Sequence, residues 1–264
     1  MSRICVSKSR NILITGATGA IGGALAISYA DADVTLILQG RDQPRLLELK
    51  HLCETKGARV ITKAIDVRDR TNYMTWLQTL AQQESIDLAI MNAGVNTHVS
   101  KDGEAEPWSE VEALVETNIL AVMATVQAIL PAMRSRKKGQ IALMSSLAAY
   151  CGLPLTPSYS ASKAAIKTYG EALRGWLGPE GIQINVIMPG YVSSEMCHRM
   201  PGPKPFLWQP EQAAQAIKKA LAVDKPRFSF PFPLNVGTWC LSVLPPRLSQ
   251  WILRQLDYQH GNIT

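Results

Sequence analysis

The sequence predicts an α/β fold in which helices cover both faces of a parallel, doubly wound sheet of about seven strands. Short apolar runs alternate repeatedly with helical patterns, an order typical of parallel sheets. A glycine-rich turn follows the first apolar run directly. The 264 residues are 47% hydrophobic and 18% charged, so the chain can bury a substantial core. No linker interrupts the alternation, and we expect a single domain over 1–264, with 233–264 as an amphipathic C-terminal extension.

Each predicted strand is a short apolar run bounded by turn residues. The strands are expected at 11–14, 33–39, 59–65, 87–91, 140–144, 183–188 and 227–232. The helices are expected at 45–56, 69–83, 110–133, 157–177 and 210–223, with a further small-residue helix after the glycine turn. Pro157 marks the start of its helix, because a proline at the first helical position loses no needed donor.

Charge and cysteine usage exclude several classes of protein. The formal net charge is +6, but the basic residues are scattered, so nucleic acid is not an expected partner. The five cysteines are odd in number and widely spaced, which predicts neither a disulfide framework nor a metal site and favours a reducing, cytoplasmic location. We expect no secretion signal and no run of about 20 apolar residues that would span a membrane.

The glycine-rich turn joins the first strand to the first helix. It reads Thr15-Gly16-Ala17-Thr18-Gly19-Ala20-Ile21-Gly22. Glycines allow the backbone to approach a pyrophosphate, and a helix N-terminus supplies free N–H groups. Strand, turn and helix in this order predict a dinucleotide-binding turn.

The end of the second strand bears on the choice of dinucleotide. An acidic residue there binds the adenosine ribose of NAD, whereas a basic residue accommodates the 2′-phosphate of NADP. This strand ends in Gln39 and Gly40, and Arg41 follows. NADP(H) is therefore favoured over NAD(H); the alternative is that Arg41 only caps a solvent-facing loop.

Tyr159 and Lys163 lie four residues apart in the predicted helix 157–177, so they share one face of it. A nearby cation favours the phenolate and lowers a tyrosine pKa toward the range of an acid/base catalyst. The alternative is an ordinary surface pair. Asn118 interrupts the apolar pattern of helix 110–133, and it is either functional or a hydrogen-bonded amide of the core.

Four ordered features together resemble the short-chain dehydrogenase/reductase family, in its single-domain branch. They are the Thr15–Gly22 turn, Asn92-Ala93-Gly94 after the fourth strand, Ser146 thirteen residues before Tyr159, and Lys163 four residues after it. The resemblance runs from 11 to 196 and implies a Rossmann-type fold. Ala20 departs from the pattern, because the single-domain branch usually has a glycine at this position. Gly19 instead gives this chain the spacing T-G-x-x-G-x-x-G, which is the spacing of the branch that acts on sugar nucleotides.

The resemblance implies roles for individual residues. Tyr159 would protonate the carbonyl oxygen, Lys163 would lower its pKa and hold the nicotinamide ribose, and Ser146 would bind the substrate oxygen. Asn118 would anchor a water that relays protons to Lys163. The implied cofactor contacts, besides Tyr159 and Lys163, are Thr15, Gly16, Thr18, Gly19, Ala20, Ile21, Gly22, Arg41, Asp66, Val67, Asn92, Ala93, Gly94, Pro189, Gly190, Val192 and Ser194.

The predicted function is therefore interconversion of a hydroxyl and a carbonyl group on a hydrophobic small molecule. Apolar residues after Ser146 and Val192 either form an apolar substrate pocket or make ordinary loop packing: Leu147, Tyr150, Leu153, Leu155, Met196, Met200, Phe206, Leu207 and Trp208. Two alternatives are a non-catalytic nucleotide-sensing or scaffold protein on the same fold, and an epimerase or dehydratase that retains NAD and acts on sugar nucleotides.

The C-terminal extension is longer than in many relatives. Its last helix is predicted to align Leu248, Trp251, Ile252 and Leu256 on one face, flanked by Arg247 and Arg254. Such a face covers the substrate cleft, packs at a subunit interface, makes peripheral membrane contact, or completes the core. The helices 110–133 and 157–177 resemble the dimer-forming pair of the family, so a homodimer is expected.

Overall fold

The computed structural model describes residues 10–99, 104–200 and 202–256. Seven parallel strands form one sheet in the order β3-β2-β1-β4-β5-β6-β7. The strands are β1 Arg10–Thr15, β2 Val34–Gly40, β3 Arg59–Ala64, β4 Ile86–Met91, β5 Gly139–Met144, β6 Ile182–Pro189 and β7 Arg227–Phe230. The predicted doubly wound sheet is confirmed.

Helices cover both faces of this sheet. They are α1 Ala20–Tyr29, α2 Gln43–Glu54, α3 Arg70–Gln83, α4 Trp108–Val115, α5 Ala121–Arg136, α6 Pro157–Leu177, α7 Glu195–Arg199, α8 Pro210–Ala222, α9 Leu234–Val243 and α10 Pro246–Gln255. Side chains alternate along each strand, so Ile12 and Ile14 pack under α1, α2 and α8, whereas Leu13 packs under α3, α5 and α6.

The direction of winding reverses at β1. This strand pairs with β2 on one side and with β4 on the other, so the connections that leave it run to opposite halves of the sheet. In open α/β sheets ligands bind at such a switch point, beyond the carboxyl ends of the strands. The fold therefore places the glycine turn and Asn92-Ala93-Gly94 side by side at this edge.

A single turn of π-helix, Glu116–Leu120, joins α4 to α5. The resulting run over 108–136 corrects the expectation that no stretch could span a membrane, because its 29 residues are long and apolar enough by length and composition. The protein core accounts for that character, since 56% of its most apolar window is buried in the fold.

The C-terminal extension folds into α9 and α10, and the residues after 256 lie outside the described part. Helix α10 does not bury the predicted apolar face as one unit. Ser249 and Leu253 are the buried positions of α10, whereas Leu248 and Trp251 are exposed. The four predicted residues are thus divided between two faces of the helix.

Candidate active site

One cleft of about 1450 Å³ runs along the carboxyl edge of the sheet. It begins at the glycine turn, passes the ends of β4, β5 and β6, and reaches α9 and α10. Most of the predicted site residues line it: Gly16, Thr18, Gly19, Ala20, Ile21, Arg41, Asp66, Val67, Asn92, Ala93, Gly94, Ser146, Tyr159, Lys163, Pro189, Gly190, Val192 and Ser194. Thr15, Gly22 and Asn118 are not among the lining residues.

The glycine turn is held close to the end of β4. Gly16 has φ +63°, and a Cβ there would lie 2.7 Å from Ala93 Cα, so only glycine fits without strain. A Cβ on Gly22 would lie 2.3 Å from the Gly16 carbonyl oxygen. Gly22 therefore acts through packing under the turn, which explains why it does not reach the cleft.

Two polar side chains, buried Thr15 and half-buried Asn92, hold the turn in place. The Thr15 hydroxyl accepts the N–H groups of Asn92 and Ala93, both at 3.1 Å. The Asn92 amide donates in return to the Thr15 and Gly16 carbonyls, at 3.2 and 3.0 Å. Helix α1 begins directly after Gly19 without a side-chain cap, so its first N–H groups remain available to an anion in the cleft.

Gln39 supports the glycine turn, a role that was not predicted from the sequence. Its Oε1 accepts the Gly16 N–H at 3.0 Å, and its Nε2 donates to the Ile65 carbonyl at 2.6 Å. It thus links β2 to the glycine turn and to the end of β3. A polar residue within an otherwise apolar buried strand was the available signal, because a buried amide needs partners.

The edge of the cleft beyond β2 is cationic and lacks room for a side chain at Gly40. A Cβ on Gly40 would lie 2.8 Å from Thr18 Cγ2. Arg41 is 65% exposed and approaches Asp66 only to 4.0 Å, whereas Arg68 binds the Asp66 carboxylate through two nitrogens. The hydrogen bond from Arg68 lowers the Asp66 pKa. Arg45 and Arg68 also line this edge, and neither was predicted.

Tyr159 and Lys163 share the cleft face of α6, and the Lys163 Nζ lies 5.5 Å from the centroid of the Tyr159 ring. Nζ donates to the Met144 carbonyl at 3.0 Å, and burial lowers the Lys163 pKa to about 8. Burial raises the Tyr159 pKa, while the hydrogen bond with Ser146 lowers it. The expected lowering by Lys163 is therefore not found, because loss of hydration dominates at both groups.

The two adjacent serines differ in their contacts. Ser145 donates to the Lys163 carbonyl at 2.7 Å, which ties β5 to α6. Ser146 donates to the Pro189 carbonyl at 3.4 Å, accepts the Ala148 N–H at 3.2 Å, and hydrogen-bonds Tyr159. Ser146 is thus the serine that the structure places against the phenol.

Asn118 lies in the π-helical turn and is buried. Its Oδ1 accepts the Val95 N–H and its Nδ2 donates to the Val95 carbonyl, both at 2.9 Å, with a further bond to Ser162 at 3.1 Å. These bonds give its side chain the partners that a buried amide needs. It still lies near the site, since a Cβ on Gly94 would be 3.3 Å from its Oδ1 and 3.4 Å from the Lys163 Nζ.

The loop after β6 closes the cleft near α7. A Cβ on Gly190 would lie 3.0 Å from Pro231 Cδ and 3.1 Å from side-chain atoms of Leu147 and Leu234. The Ser194 hydroxyl caps α7 by accepting the Cys197 N–H at 3.1 Å and donates to the Val192 carbonyl at 3.2 Å. Ser194 thus fixes the direction in which the chain leaves this loop.

The far half of the cleft is apolar, and only part of its wall was predicted. Leu147, Leu153, Met196, Met200 and Phe206 line it, whereas Tyr150, Leu155, Leu207 and Trp208 do not. Trp208 instead stacks on Phe230 at 4.9 Å between ring centroids. The rest of the wall comes from the C-terminal extension: Leu234, Gly237, Thr238, Leu241, Ile252, Leu253 and Leu256. Cover of the cleft was one of the alternatives given for the stripe that contains Ile252 and Leu256, whereas the residues of α9 were not predicted.

Asn96 is a further unpredicted residue of the cleft wall. Its Oδ1 is buried and has no hydrogen-bond partner among the residues that the structure describes. A buried acceptor without a partner is costly, and this oxygen is closed off from the open space of the cleft. Across the described ranges, no group of three or more His, Cys, Asp or Glu side chains is arranged to hold a metal ion.

Known proteins resemble this chain in sequence and in fold. The profile of the family described as short chain dehydrogenase matches residues 10–202. An uncharacterized oxidoreductase from Myxococcus xanthus is 34% identical over 248 residues, which cover 94% of this chain and 97% of that protein.

Two solved structures share the fold. A short-chain dehydrogenase from Sphingobium yanoikuyae in complex with NADPH has a TM-score of 0.78 at 21% identity, covering 93% of this chain and 95% of its own. A 3-oxoacyl-(acyl-carrier protein) reductase from Brucella melitensis with bound NAD has a TM-score of 0.71 at 23% identity, covering 87% of this chain and 95% of its own.

Proposed function

This chain belongs to the short-chain dehydrogenase/reductase family of oxidoreductases, and we propose that it interconverts a hydroxyl and a carbonyl group on a hydrophobic small molecule with NAD(P)(H). The observation that carries the proposal is the shared cleft. Ser146, Tyr159 and Lys163 line it between the glycine turn and an apolar wall. Reacting groups therefore lie between a nucleotide-binding half and a half suited to an apolar substrate.

In this proposal Tyr159 exchanges a proton with the substrate oxygen. Its raised pKa keeps the phenol protonated at neutral pH, which is the form that reduction of a carbonyl requires. Ser146 shares a hydrogen bond with the phenol and is positioned to hold the same oxygen. The nicotinamide supplies or accepts the hydride when it is bound.

Lys163 would hold a proton close to the phenol. With a pKa of about 8, its amine is mostly charged at neutral pH but releases a proton far more readily than an exposed lysine. Asn118 would act indirectly, by fixing Val95 and Ser162 beside Gly94. We therefore propose it as a positioning residue.

We propose NADP(H) as the preferred cofactor. Arg41 and Arg45 line the edge beyond β2, where Arg68 is already bound to the Asp66 carboxylate, and the end of the strand itself supplies Gly40 and no carboxylate. Arginine suits a phosphate because its planar group can donate two hydrogen bonds. The Sphingobium relative in complex with NADPH supports this preference, whereas the Brucella relative holds NAD. With either cofactor, the close packing at Gly16 and Gly22 would keep the glycine turn in its place beside the end of β4.

Location and assembly belong to the same proposal. The described cysteines Cys53, Cys151, Cys197 and Cys240 are free thiols, which supports a reducing cytoplasm. A homodimer through the α4–α5 run and α6 would cover exposed Leu120 and Trp176. We also propose that residues 1–264 form a single domain and that the protein has no nucleic-acid partner.

The test is reduction of a panel of apolar ketones, aldehydes and quinones with NADPH deuterated at the transferable position. We expect NADPH consumption, and for ketones and aldehydes an alcohol that carries deuterium on the former carbonyl carbon. If NADPH binds tightly but no product carries the label, a nucleotide-sensing role replaces the proposed one. A product that forms while the label stays in the cofactor contradicts hydride transfer.

A further inference from the structure

Helix α9 carries two apolar stripes on opposite faces. Leu234, Gly237, Thr238 and Leu241 line the cleft at helical spacing. Val236, Trp239, Cys240 and Val243 follow the same spacing on the outside and are all exposed. A helix that is apolar all round is normally buried on every side, so the outer stripe of α9 lacks the cover that its composition calls for.

Helix α10 follows α9 in the chain and also exposes large apolar side chains. Its inner face carries Ser249, Ile252 and Leu253, while Leu248 and Trp251 point outward between Arg247 and Arg254. We name the outward residues Phe232, Val236, Trp239, Val243, Leu248 and Trp251 the outer patch. Trp239 is 48% exposed, Trp251 56% and Val243 64%. Clusters of exposed large apolar side chains mark interaction sites.

The charge of this region selects among possible partners. From Lys225 to Leu256 the sequence contains no Asp or Glu, while Arg247 and Arg254 flank Trp251. Tryptophan with basic residues on an amphipathic helix is the composition of a helix that lies in the surface of an anionic bilayer. Anionic lipid attracts such basic residues through its surface potential.

We propose that α9 and α10 dock on the surface of an anionic phospholipid bilayer through the outer patch. The competing occupant is a second copy of this chain. A two-fold interface brings the same patch together from both copies, and here it would bring arginines together without an acidic residue from this segment to pair them. An anionic bilayer offers negatively charged headgroups to the arginines and an apolar interior to the outer patch.

The position of the patch explains why such docking would be useful to the protein. The outer stripe of α9 and the cleft lie on opposite faces of the same helix. A docked α9 therefore holds the apolar half of the cleft one helix diameter from the lipid. The docking itself does not depend on the proposed reaction and is tested without any substrate.

The test is sedimentation of the full chain with phosphatidylcholine vesicles and with vesicles that also contain phosphatidylglycerol. We expect binding to the anionic vesicles, a decrease at high salt, and a blue shift of tryptophan fluorescence as Trp239 and Trp251 leave water. Binding that is equal for both vesicle types overturns the anionic assignment, and no binding to either overturns the proposal.

Two variant pairs sharpen the result. Trp239→Glu with Trp251→Glu should abolish vesicle binding, whereas Trp108→Glu, also at an exposed tryptophan but outside the patch, should retain it. Arg247→Gln with Arg254→Gln should weaken binding by roughly 25-fold, about fivefold for each arginine. Lys56→Gln with Lys219→Gln removes the same charge elsewhere and should lose far less.

Light scattering distinguishes the second occupant. Suppose that wild type is an oligomer that does not bind vesicles, and that the tryptophan variants are monomers. The patch is then a subunit interface and the proposal is wrong. Should the tryptophan variants fail to fold, as judged by circular dichroism, the arginine pair and the salt dependence of the wild type decide the question alone.

Discussion

Replacement of Lys163 by methionine should change how the stability of the protein depends on pH. Lys163 is 5% exposed, and burial lowers its pKa from 10.5 to about 8. The unfolded chain therefore binds this proton more tightly than the folded protein does. In wild type the resulting cost is present in full below pH 8 and disappears as the pH rises toward the unfolded value.

The size of the effect follows from the two pKa values. At 1.36 kcal/mol per pKa unit the full cost is roughly 3 kcal/mol. Between pH 7 and pH 10 wild type should recover about 2.5 kcal/mol of it. Lys163→Met lacks this recovery, so its free energy of unfolding relative to wild type should fall by that amount over the range. Tyr29, Tyr73 and Cys53 also have raised pKa values, but they are common to both proteins and cancel.

Urea unfolding of the cofactor-free protein across this pH range is the assay. Lys167→Met is the control, because Lys167 lies on the same helix and pairs with Glu171 near the surface. It should shift stability by a nearly constant amount. A flat difference for Lys163→Met as well would refute the account of a desolvated amine at the base of the cleft.

Three further predictions test the cofactor edge, the glycine turn and Asn118. Arg41→Ala should weaken NADPH binding by ~1–3 kcal/mol in a fluorescence titration and leave NADH unchanged; equal losses for both would end the 2′-phosphate assignment. Gly22→Ala puts a methyl group 2.3 Å from a backbone oxygen and should lower the free energy of unfolding in urea by about 2–3 kcal/mol. Gly23→Ala is the control, because a methyl group there makes ordinary contacts, and it should raise the free energy of unfolding by up to ~1 kcal/mol. Similar values for the two variants would contradict the packing argument. Asn118→Leu leaves the Val95 N–H and carbonyl without their hydrogen-bond partner and should lower the free energy of unfolding in urea by about 2–4 kcal/mol. A loss below ~1 kcal/mol would mean that another group replaces the amide.

The sheet was predictable because its signals are local. Each buried parallel strand is an apolar run, and the turn after β1 carries its glycines in sequence. The structure changed only the first and last residues of the predicted strands. For example, β7 ends at Phe230 and not at 232, because Pro231 cannot donate a ladder hydrogen bond.

Features that depend on distant contacts were not predictable in the same way. The Tyr159 pKa is set by how deeply the surrounding elements bury the phenol, and spacing along α6 contains no information on that depth. The wall from α9 and α10 is a long-range contact of the same kind. The π turn at Asn118 is a third case, because it depends on the fit of one amide to the Val95 backbone.

The most direct test of the proposed chemistry compares wild type with Tyr159→Phe at saturating NADPH on a substrate found in the panel. Phenylalanine keeps the ring and removes the proton, so kcat should fall by about 10²–10⁴ while the NADPH affinity stays nearly unchanged. Tyr169→Phe on the same helix does not reach the cleft and should retain activity. Turnover of Tyr159→Phe within a few-fold of wild type would contradict Tyr159 as the acid/base and, with it, the proposed mechanism.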